Sequence, residues 1–284
     1  MEIVVAQSAG FCWGVFRAFD VVDAAVRYAA GRKVVTLGPI IHNPGVIASL
    51  EARGVSCVDP EIVPNDQTVV VIRAHGLPQV KRESLATLGD NLVDATCPFV
   101  ARVERAVADA GAAGRLALLV GDENHAEFRA ARTYTKGDVA IVAAARDVAT
   151  LPKTERAITV IAQTTLDRPT FDEVVEAVRA RFTDVVVENT RCDDTRDRQA
   201  EAERMAHAAD VVLVVGGKNS ANTARLASIA EGAGAKTYLI ETTAEIDRAW
   251  FKATSRVVIL GGASTPRTDI DAVAAALETM EING

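Results

Sequence analysis

The sequence lacks the features that mark membrane, secreted and nucleic-acid-binding proteins. It contains no apolar run near the roughly 18 residues that cross a bilayer. The first six residues include neither a basic start nor a cleavable apolar segment. Lys and Arg total 31 against 38 Asp and Glu, so the net charge of −7 leaves no general footprint for nucleic acid. These absences predict a cytoplasmic protein that binds neither membrane nor nucleic acid.

Cysteine is also scarce, and the usual dinucleotide-binding motif is missing. There are four cysteines in 284 residues, and in a reducing compartment a few scattered thiols favour metal binding or catalysis over disulfides. No G-x-G-x-x-G follows a predicted strand, which disfavours a dinucleotide-dependent reductase. The composition of 49% hydrophobic and 24% charged residues is that of an ordinary globular protein.

Three of the four cysteines share one local setting. Cys12, Cys97 and Cys192 each follow a short apolar, strand-like run and precede a segment with helical periodicity. They are 85 and 95 residues apart, so any shared role requires the fold to bring them together. Cys57 lacks this setting and is expected to be a small buried residue of the core.

Glycines at predicted strand ends nearly repeat the spacing of the cysteines. Gly38, Gly121 and Gly216 are 83 and 95 residues apart, which predicts three divergent structural repeats. The expected division is 1–97, 98–192 and 193–284, with the N-terminal strand completing the third unit. Continuous apolar strands alternating with helices predict the α/β class with small parallel sheets. We expect these units in a pseudo-threefold arrangement, with the three cysteines at the junctions.

Polar side chains collect where the predicted strands end, which is where ligands bind in parallel α/β sheets. The candidates are His42, His75, His125, Thr164, Ser220, Asn222 and Ser264. Imidazoles, hydroxyls and amides ahead of helix N-termini suit an anion such as phosphate. Ser220, Asn222 and Ser264 are also good helix caps, and capping does not exclude ligand binding.

A series of short motifs then identifies a resemblance. They are Gly-Phe-Cys12-x-Gly-Val, Ile-His42-Asn, Ala-His75-Gly, Asp-Ala-Thr-Cys97-Pro, Asn-His125-x-Glu127, Gln-Thr164-Thr, Gly-Lys-Asn-Ser220-x-Asn222 and Gly-Ala-Ser264-x-Pro. In order and spacing the series resembles the 4-hydroxy-3-methylbut-2-enyl diphosphate reductase family, the last enzymes of the methylerythritol phosphate route to isoprenoids. The resemblance runs from Val4 to about Ile270. Each motif is weak alone, and eight in order are highly specific.

The resemblance implies a cofactor and a reaction. It implies a [4Fe–4S] cluster held by Cys12, Cys97 and Cys192, with one iron left open. Such a cluster would deliver two electrons and activate the allylic hydroxyl of the substrate, giving isopentenyl diphosphate and dimethylallyl diphosphate. The electron donor implied is a ferredoxin or a flavodoxin.

The resemblance also implies roles for the loop residues. Glu127 is the expected proton donor, and Thr164 is similar to the family residue that orients that carboxyl and the substrate hydroxyl. His125 is expected at the diphosphate and on the proton-delivery side. The residues expected to hold the diphosphate are His42, His75, Ser220, Asn222 and Ser264.

Some positions depart from the family pattern and leave other functions open. Trp13, Ala126 and Arg267 differ from the common residues, so a paralogue acting on another allylic diphosphate is one alternative. A second is a closed zinc site made of the three cysteines and one histidine. A third is a non-catalytic iron–sulfur sensor, in which Glu127 would be dispensable.

Overall fold

The computed structural model describes residues 1–41, 43–62, 65, 67–152 and 156–281. Those residues form twelve β-strands and nine α-helices. The strands are β1 (Glu2–Val5), β2 (Val34–Leu37), β3 (Val55–Val58), β4 (Val69–Ile72), β5 (Leu92–Asp94), β6 (Leu116–Val120), β7 (Val139–Val142), β8 (Ile158–Ala162), β9 (Val185–Glu188), β10 (Val211–Val215), β11 (Lys236–Ile240) and β12 (Arg256–Gly261). The helices are α1 (Trp13–Ala29), α2 (Pro44–Ala52), α3 (Gln79–Ser84), α4 (Pro98–Ala112), α5 (Ala126–Ala131), α6 (Arg168–Arg181), α7 (Asp193–Ala206), α8 (Ala221–Gly232) and α9 (Arg267–Glu278).

The strands form three parallel four-stranded sheets with one common order. The orders are β3-β2-β4-β5, β7-β6-β8-β9 and β11-β10-β12-β1. The registers also correspond, because Leu37 pairs with Ile72, Val120 with Ala162 and Val215 with Gly261. The predicted α/β class with three small parallel sheets is confirmed.

The two inner strands of each sheet are mostly apolar, and they are buried almost completely. Every residue of β2, β4, β8 and β10 is buried, as expected for parallel strands covered by helices on both sides. The outer strands are only partly buried, as in β7 and β11. Neither strand is predicted from the sequence, although β7 is itself a short apolar run, Val-Ala-Ile-Val.

Helix starts follow the local sequence closely. Pro98 occupies the first position of α4, where its missing N–H costs nothing and its fixed φ suits a helix. Asp193 and Asp194 begin α7 and favour the positive end of its dipole. The short helix α3 ends at Ser84 and is followed by a 3₁₀ helix over Ala86–Asn91.

The chain divides into two compact units. The smaller consists of Met1–Phe16, Ile41–Ser49 and Asp193–Gly284, and the larger of Arg17–Ile40 and Leu50–Cys192. The β11-β10-β12-β1 sheet belongs to the smaller unit and the other two sheets to the larger. The division at residues 97 and 192 and the pseudo-threefold arrangement stay predictions. None of the helices in the described residues has the length and apolar character to cross a membrane.

Candidate functional site

The backbone holds the three candidate cysteines in the same way. Each is the residue directly before a helix, namely α1, α4 or α7. The N–H of Cys12 donates to the carbonyl of Ala263 at 3.0 Å, that of Cys97 to Ala74 at 2.9 Å, and that of Cys192 to Thr164 at 2.9 Å. Each of these carbonyls belongs to the second residue after an inner strand, β12, β4 or β8. The three cysteines therefore occupy equivalent positions.

At Cys12 and Cys97 the N–H groups of the following helix point at the thiol. The Sγ of Cys12 accepts a hydrogen bond from the N–H of Val15 at 3.4 Å. Burial raises the pKa of Cys97, and hydrogen bonds from the N–H groups of Phe99 and Val100 oppose that rise. The charges of Cys192 and Glu127 add to the rise, which places both groups within electrostatic range of Cys97 in the larger unit.

Glu127 is buried, and Thr164 donates a hydrogen bond to each of its two carboxyl oxygens. It lies in the first turn of α5 with a relative exposure of 1%. The backbone N–H of Thr164 donates to its Oε1 at 2.9 Å, and the hydroxyl of Thr164 donates to its Oε2 at 2.5 Å. Burial raises the pKa of Glu127 to about 7, against the opposing effect of the two Thr164 hydrogen bonds. This carboxyl can hold or release a proton near neutral pH.

Two histidines lie beside this carboxyl's helix. His125 caps α5 by accepting the N–H of Glu127 at its Nδ1 atom, at 3.3 Å. Its ring meets that of His75 edge to face, with 5.6 Å between centroids and 82° between planes. His75 lies in the turn after β4, and His125 lies in the turn after β6. The larger unit thus brings together Cys97, Cys192, Glu127, Thr164, His75 and His125.

The smaller unit contains the hydroxyl and amide side chains of Ser220, Asn222 and Ser264. Ser220 caps α8 by accepting the N–H of Thr223 at 3.4 Å. Asn222 and Ser264 are buried, and the structure gives no hydrogen-bond partner within the described residues to either amide atom of Asn222 or to the hydroxyl of Ser264. Buried polar atoms without partners are costly, so these atoms are suited to a polar ligand.

The loops that carry Asn222 and Ser264 are neighbours at the carboxyl edge of one sheet. They follow β10 and β12, which pair directly. A Cβ at Gly262 would lie 2.3 Å from the hydroxyl oxygen of Thr223, so only glycine allows this approach. The buried amide of Asn43 donates to the carbonyl of Ser264 at 3.0 Å and fixes that loop.

Two further residues named from the sequence are His42 and Cys57. His42 lies outside the described residues. Cys57 is partly rather than fully buried, because it lies in the outer strand β3. The expectation of a core cysteine is therefore wrong in degree.

The cysteines fit an iron–sulfur cluster by their chemistry. Among the described residues no three His, Cys, Asp or Glu side chains gather tightly enough to hold a single metal ion. In a four-iron cluster each thiolate binds a different iron, so the ligands need not converge on one point. Helix N-termini stabilise thiolates, and all three cysteines precede one. This donor set fits the group.

Sequence reasoning missed one buried acid, Glu104 on α4. It has a relative exposure of 5%. Its position next to Val103 and between Val100 and Val107 on the buried face of α4 could have revealed it, since an acid in an apolar helical stripe is unusual.

Comparisons with known proteins agree over almost the whole chain. The profile of the LytB protein family matches residues 3–278. A 4-hydroxy-3-methylbut-2-enyl diphosphate reductase of Anaeromyxobacter sp. is 40% identical, covering 96% of each chain. A solved (E)-4-hydroxy-3-methyl-but-2-enyl diphosphate reductase, described as the terminal enzyme of the non-mevalonate pathway, is 37% identical with a TM-score of 0.72, covering 99% of this chain and 100% of its own. The solved E-1-hydroxy-2-methyl-but-2-enyl-4-diphosphate reductase of Plasmodium falciparum has the same fold, with a TM-score of 0.90 and 24% identity, covering 99% of this chain and 89% of its own.

Proposed function

The chain belongs to the LytB protein family, and on that premise we propose that it reduces 4-hydroxy-3-methylbut-2-enyl diphosphate to isopentenyl diphosphate and dimethylallyl diphosphate. The resemblance found in the motifs is confirmed by the family match. The reaction breaks the allylic C–O bond, consumes two electrons and two protons, and releases the hydroxyl as water. It therefore needs a proton donor, a source of electrons and a site for the diphosphate.

The observation that carries this proposal is the Glu127–Thr164 pair. A buried acid with a pKa of about 7 is half protonated near neutrality, and its proton can be given to a departing hydroxyl. Both carboxylate oxygens are fixed by Thr164, so the acid is held in one orientation. Hydroxide is a poor leaving group without such a donor.

We assign the three equivalent cysteines, Cys12, Cys97 and Cys192, as the ligands of a [4Fe–4S] cluster. When bound, such a cluster supplies the electrons and an iron free of protein ligands that can act as a Lewis acid. The support comes from the matching backbone contacts of the three residues and from their places before helix N-termini.

The diphosphate is assigned to the remaining polar residues. Asn222 and Ser264 offer buried donors that bind nothing within the described part of the chain. His75 and His125 add imidazoles, whose ring N–H groups can donate hydrogen bonds to phosphate oxygens. Ser220 belongs to the same N-terminal turn as Asn222, and His42 is assigned to this group from the sequence. The electron donor is proposed to be a ferredoxin or flavodoxin, and the cytoplasmic location stays a prediction.

The first experiment is iron and sulfide analysis with a visible spectrum on anaerobically purified protein. About four irons per chain are expected, as a [4Fe–4S] cluster requires. Cys97→Ser is expected to lose most of that iron. Cys57→Ser is the matched control and is expected to keep the iron. Cys57 lies in β3 and, unlike the three proposed ligands, does not precede a helix.

Turnover is then measured with the hydroxylated C5 diphosphate and a one-electron reductant. Oxidation of the reductant on adding the diphosphate supports the reductase function. A full cluster without turnover would indicate a sensor or a paralogue with another substrate. Colourless protein carrying stoichiometric zinc after attempted cluster reconstitution would overturn the cluster assignment.

A further inference from the structure

The connection that leads to Cys12 is longer than those that lead to the other two candidate ligands. It runs from the end of β1 over residues 6–11, and we call it the Cys12 loop. The connections from β5 to Cys97 and from β9 to Cys192 are only two and three residues long. A longer irregular segment has more backbone N–H and C=O groups that need partners. The Cys12 loop finds several of these partners in side chains of α7.

Glu201 on α7 binds two successive backbone N–H groups of the loop. Its Oε1 accepts the N–H of Gln7 at 2.9 Å, and its Oε2 accepts the N–H of Ser8 at 3.0 Å. Only 14% of the Glu201 side chain is exposed. Hydrogen bonds to an ionised acceptor are stronger than those between neutral groups. The carboxylate therefore fixes the first part of the Cys12 loop.

Arg198 lies one turn earlier on α7 and binds the carbonyl side of the same segment. Its Nη1 donates to the carbonyl of Ser8 and, at 3.4 Å, to that of Gly261. Its Nε donates to the carboxylate of Asp194 at 2.7 Å. The Arg198 side chain is only 4% exposed, and a buried charge is tolerated when it is paired and fully hydrogen-bonded. Both the N–H and the carbonyl of Ser8 are thus held by charged side chains of one helix.

The two ends of the Cys12 loop rest on one segment of the chain. Gly261 ends β12, and the carbonyl of Ala263 accepts the N–H of Cys12 at 3.0 Å. A Cβ added at Gly261 would lie 3.1 Å from the Cα of Ala9, so the loop packs directly on this segment. Arg198 therefore joins the start of the loop to the segment that holds its end.

We propose that Glu201 and Arg198 are positioning residues for Cys12. They form a charged clamp on the Cys12 loop and hold the thiol in one orientation for the iron that it binds. The inference rests on the proposed function insofar as Cys12 is a ligand of the cluster. Both side chains act through the backbone of the loop.

The chemistry of the clamp requires these two residue types. Two N–H groups need two acceptor oxygens, and a carboxylate supplies both. A glutamine at 201 has one oxygen, so its NH₂ group would face the second N–H. A lysine at 198 keeps the charge but lacks the planar fork that reaches a carboxylate and two carbonyls together. Both replacements suit a helix equally well, so they weaken the clamp without disturbing α7.

The test compares the wild type with Glu201→Gln and Arg198→Lys, and it includes two controls. Glu203→Gln makes the same change at an exposed position of α7. Gly234→Ala lies in the same unit, at a φ of +92° with open space around the Cβ position. It should lower the free energy of unfolding without touching the Cys12 loop. It therefore separates loss of the clamp from general loss of stability.

Three properties are measured on anaerobically purified, cluster-containing protein. Hydrogen exchange over residues 6–11 reports opening of the Cys12 loop. The rate at which an iron chelator removes iron reports how firmly the cluster is held. A redox titration gives the reduction potential of the cluster. Denaturant midpoints are measured alongside to place the variants on one stability scale.

Exchange of the loop and the rate of iron removal should both rise about tenfold or more in Glu201→Gln and Arg198→Lys, as expected when a hydrogen bond to a charged group is lost. The reduction potential should also rise, because solvent that reaches the cluster stabilises its more negative, reduced form. Glu203→Gln and Gly234→Ala should keep the wild-type rate of iron removal and the wild-type potential.

Two results would overturn the proposal. One is a rate of iron removal and a potential in Glu201→Gln equal to those of the wild type. The other is an equal rise in Gly234→Ala, which would show that general stability controls the cluster. Faster loop exchange in Glu201→Gln with no iron in any of the proteins would support the clamp on the loop and count against the cluster assignment.

Discussion

The turns after β6 and β10 have the same backbone and different chemistry. Gly121 and Gly216 follow the two strands directly, with φ of +153° and +150°. Four residues after each glycine comes the helix cap, His125 in one turn and Ser220 in the other. Two residues further on, the first carries Glu127 and the second Asn222. Their side chains differ in charge at an equivalent place in the fold.

The difference extends to how the two side chains are held. Both oxygens of Glu127 are bonded by Thr164, whereas neither amide atom of Asn222 has a partner in the described residues. A fully bonded acid is preorganised to move a proton, and an amide with free donors and acceptors is suited to bind a ligand. One backbone framework thus carries the proposed proton donor in one turn and a proposed ligand-binding amide in the other.

The largest expected effect comes from removing the acid. Glu127→Gln should lower kcat by roughly a hundredfold to ten-thousandfold, the usual range for loss of a general acid, while the amide keeps the contact with Thr164. Turnover is measured anaerobically with a one-electron reductant, and the visible spectrum confirms that the cluster is retained. Turnover near the wild-type rate would remove Glu127 from the proton-donor role.

The next largest effect is expected in the pH dependence of kcat, through the ionisation of Glu127. With a pKa of about 7 for Glu127, kcat should fall about tenfold per pH unit above that value, because only the acid form donates. Native Glu127 also holds a proton that the unfolded chain releases from about pH 4.5 upward. The free energy of unfolding should therefore fall between pH 4.5 and 7.

Glu127→Gln is the control for both pH effects. Its residual rate and its unfolding midpoint should lack these particular pH dependences. A wild-type rate that stays constant from pH 6 to pH 9 would contradict the assigned ionisation.

In the other turn a smaller effect on binding is expected. Asn222→Ala should raise KM by about ten- to hundredfold, the usual size of a lost hydrogen bond to a charged group, with little change in kcat. Asn219, which is exposed three residues earlier, provides the matched control as Asn219→Ala. If kcat fell and KM stayed constant, the contrast between the two turns would be wrong.

The smallest effect tests whether the two backbones are equivalent. A Cβ would lie 2.3 Å from Gln163 at Gly121 and 2.4 Å from Thr265 at Gly216. Gly121→Ala and Gly216→Ala should each destabilise the protein by about 2–4 kcal/mol, from the positive φ and the overlap. Gly54 has a φ of +84° and no atom within 4 Å of its Cβ position. Gly54→Ala should therefore lower the free energy of unfolding by only about 1 kcal/mol.

The loss of stability in all three glycine variants is measured from the midpoints of denaturant unfolding. A large loss at Gly121 with none at Gly216 would show that the two turns are not equally constrained.

The sequence predicted the inner strands and most of the outer ones, and it missed β7 and β11. Leu116–Val120 and Val211–Val215 are continuous apolar runs, so their limits can be predicted from composition. Val139–Val142 and Lys236–Ile240 pair on one side only and are partly exposed; Lys236–Ile240 has polar residues at its start, whereas Val139–Val142 is a short apolar run that was overlooked. The same reasoning overestimated the burial of Cys57.

The motifs predicted the candidate site residues, but the surroundings of these residues depend on contacts distant in sequence. The pKa of Glu127 is set by burial and by Thr164, which is 37 residues away. No local pattern contains that information. Glu104 is different, because its place in the apolar stripe of α4 is visible in the sequence, and only its close approach to Gly76 depends on the fold.

The sequence by itself determined the family, the α/β class, the inner strands and the residues that can do chemistry, because apolar runs and spaced motifs are local properties. Only the tertiary structure decided that each of three cysteines donates its N–H to the carbonyl after a neighbouring strand. Only it decided that one turn holds a bonded acid and another an unbonded amide. The physical reason is that hydrogen bonds, burial and pKa depend on which parts of the chain pack together.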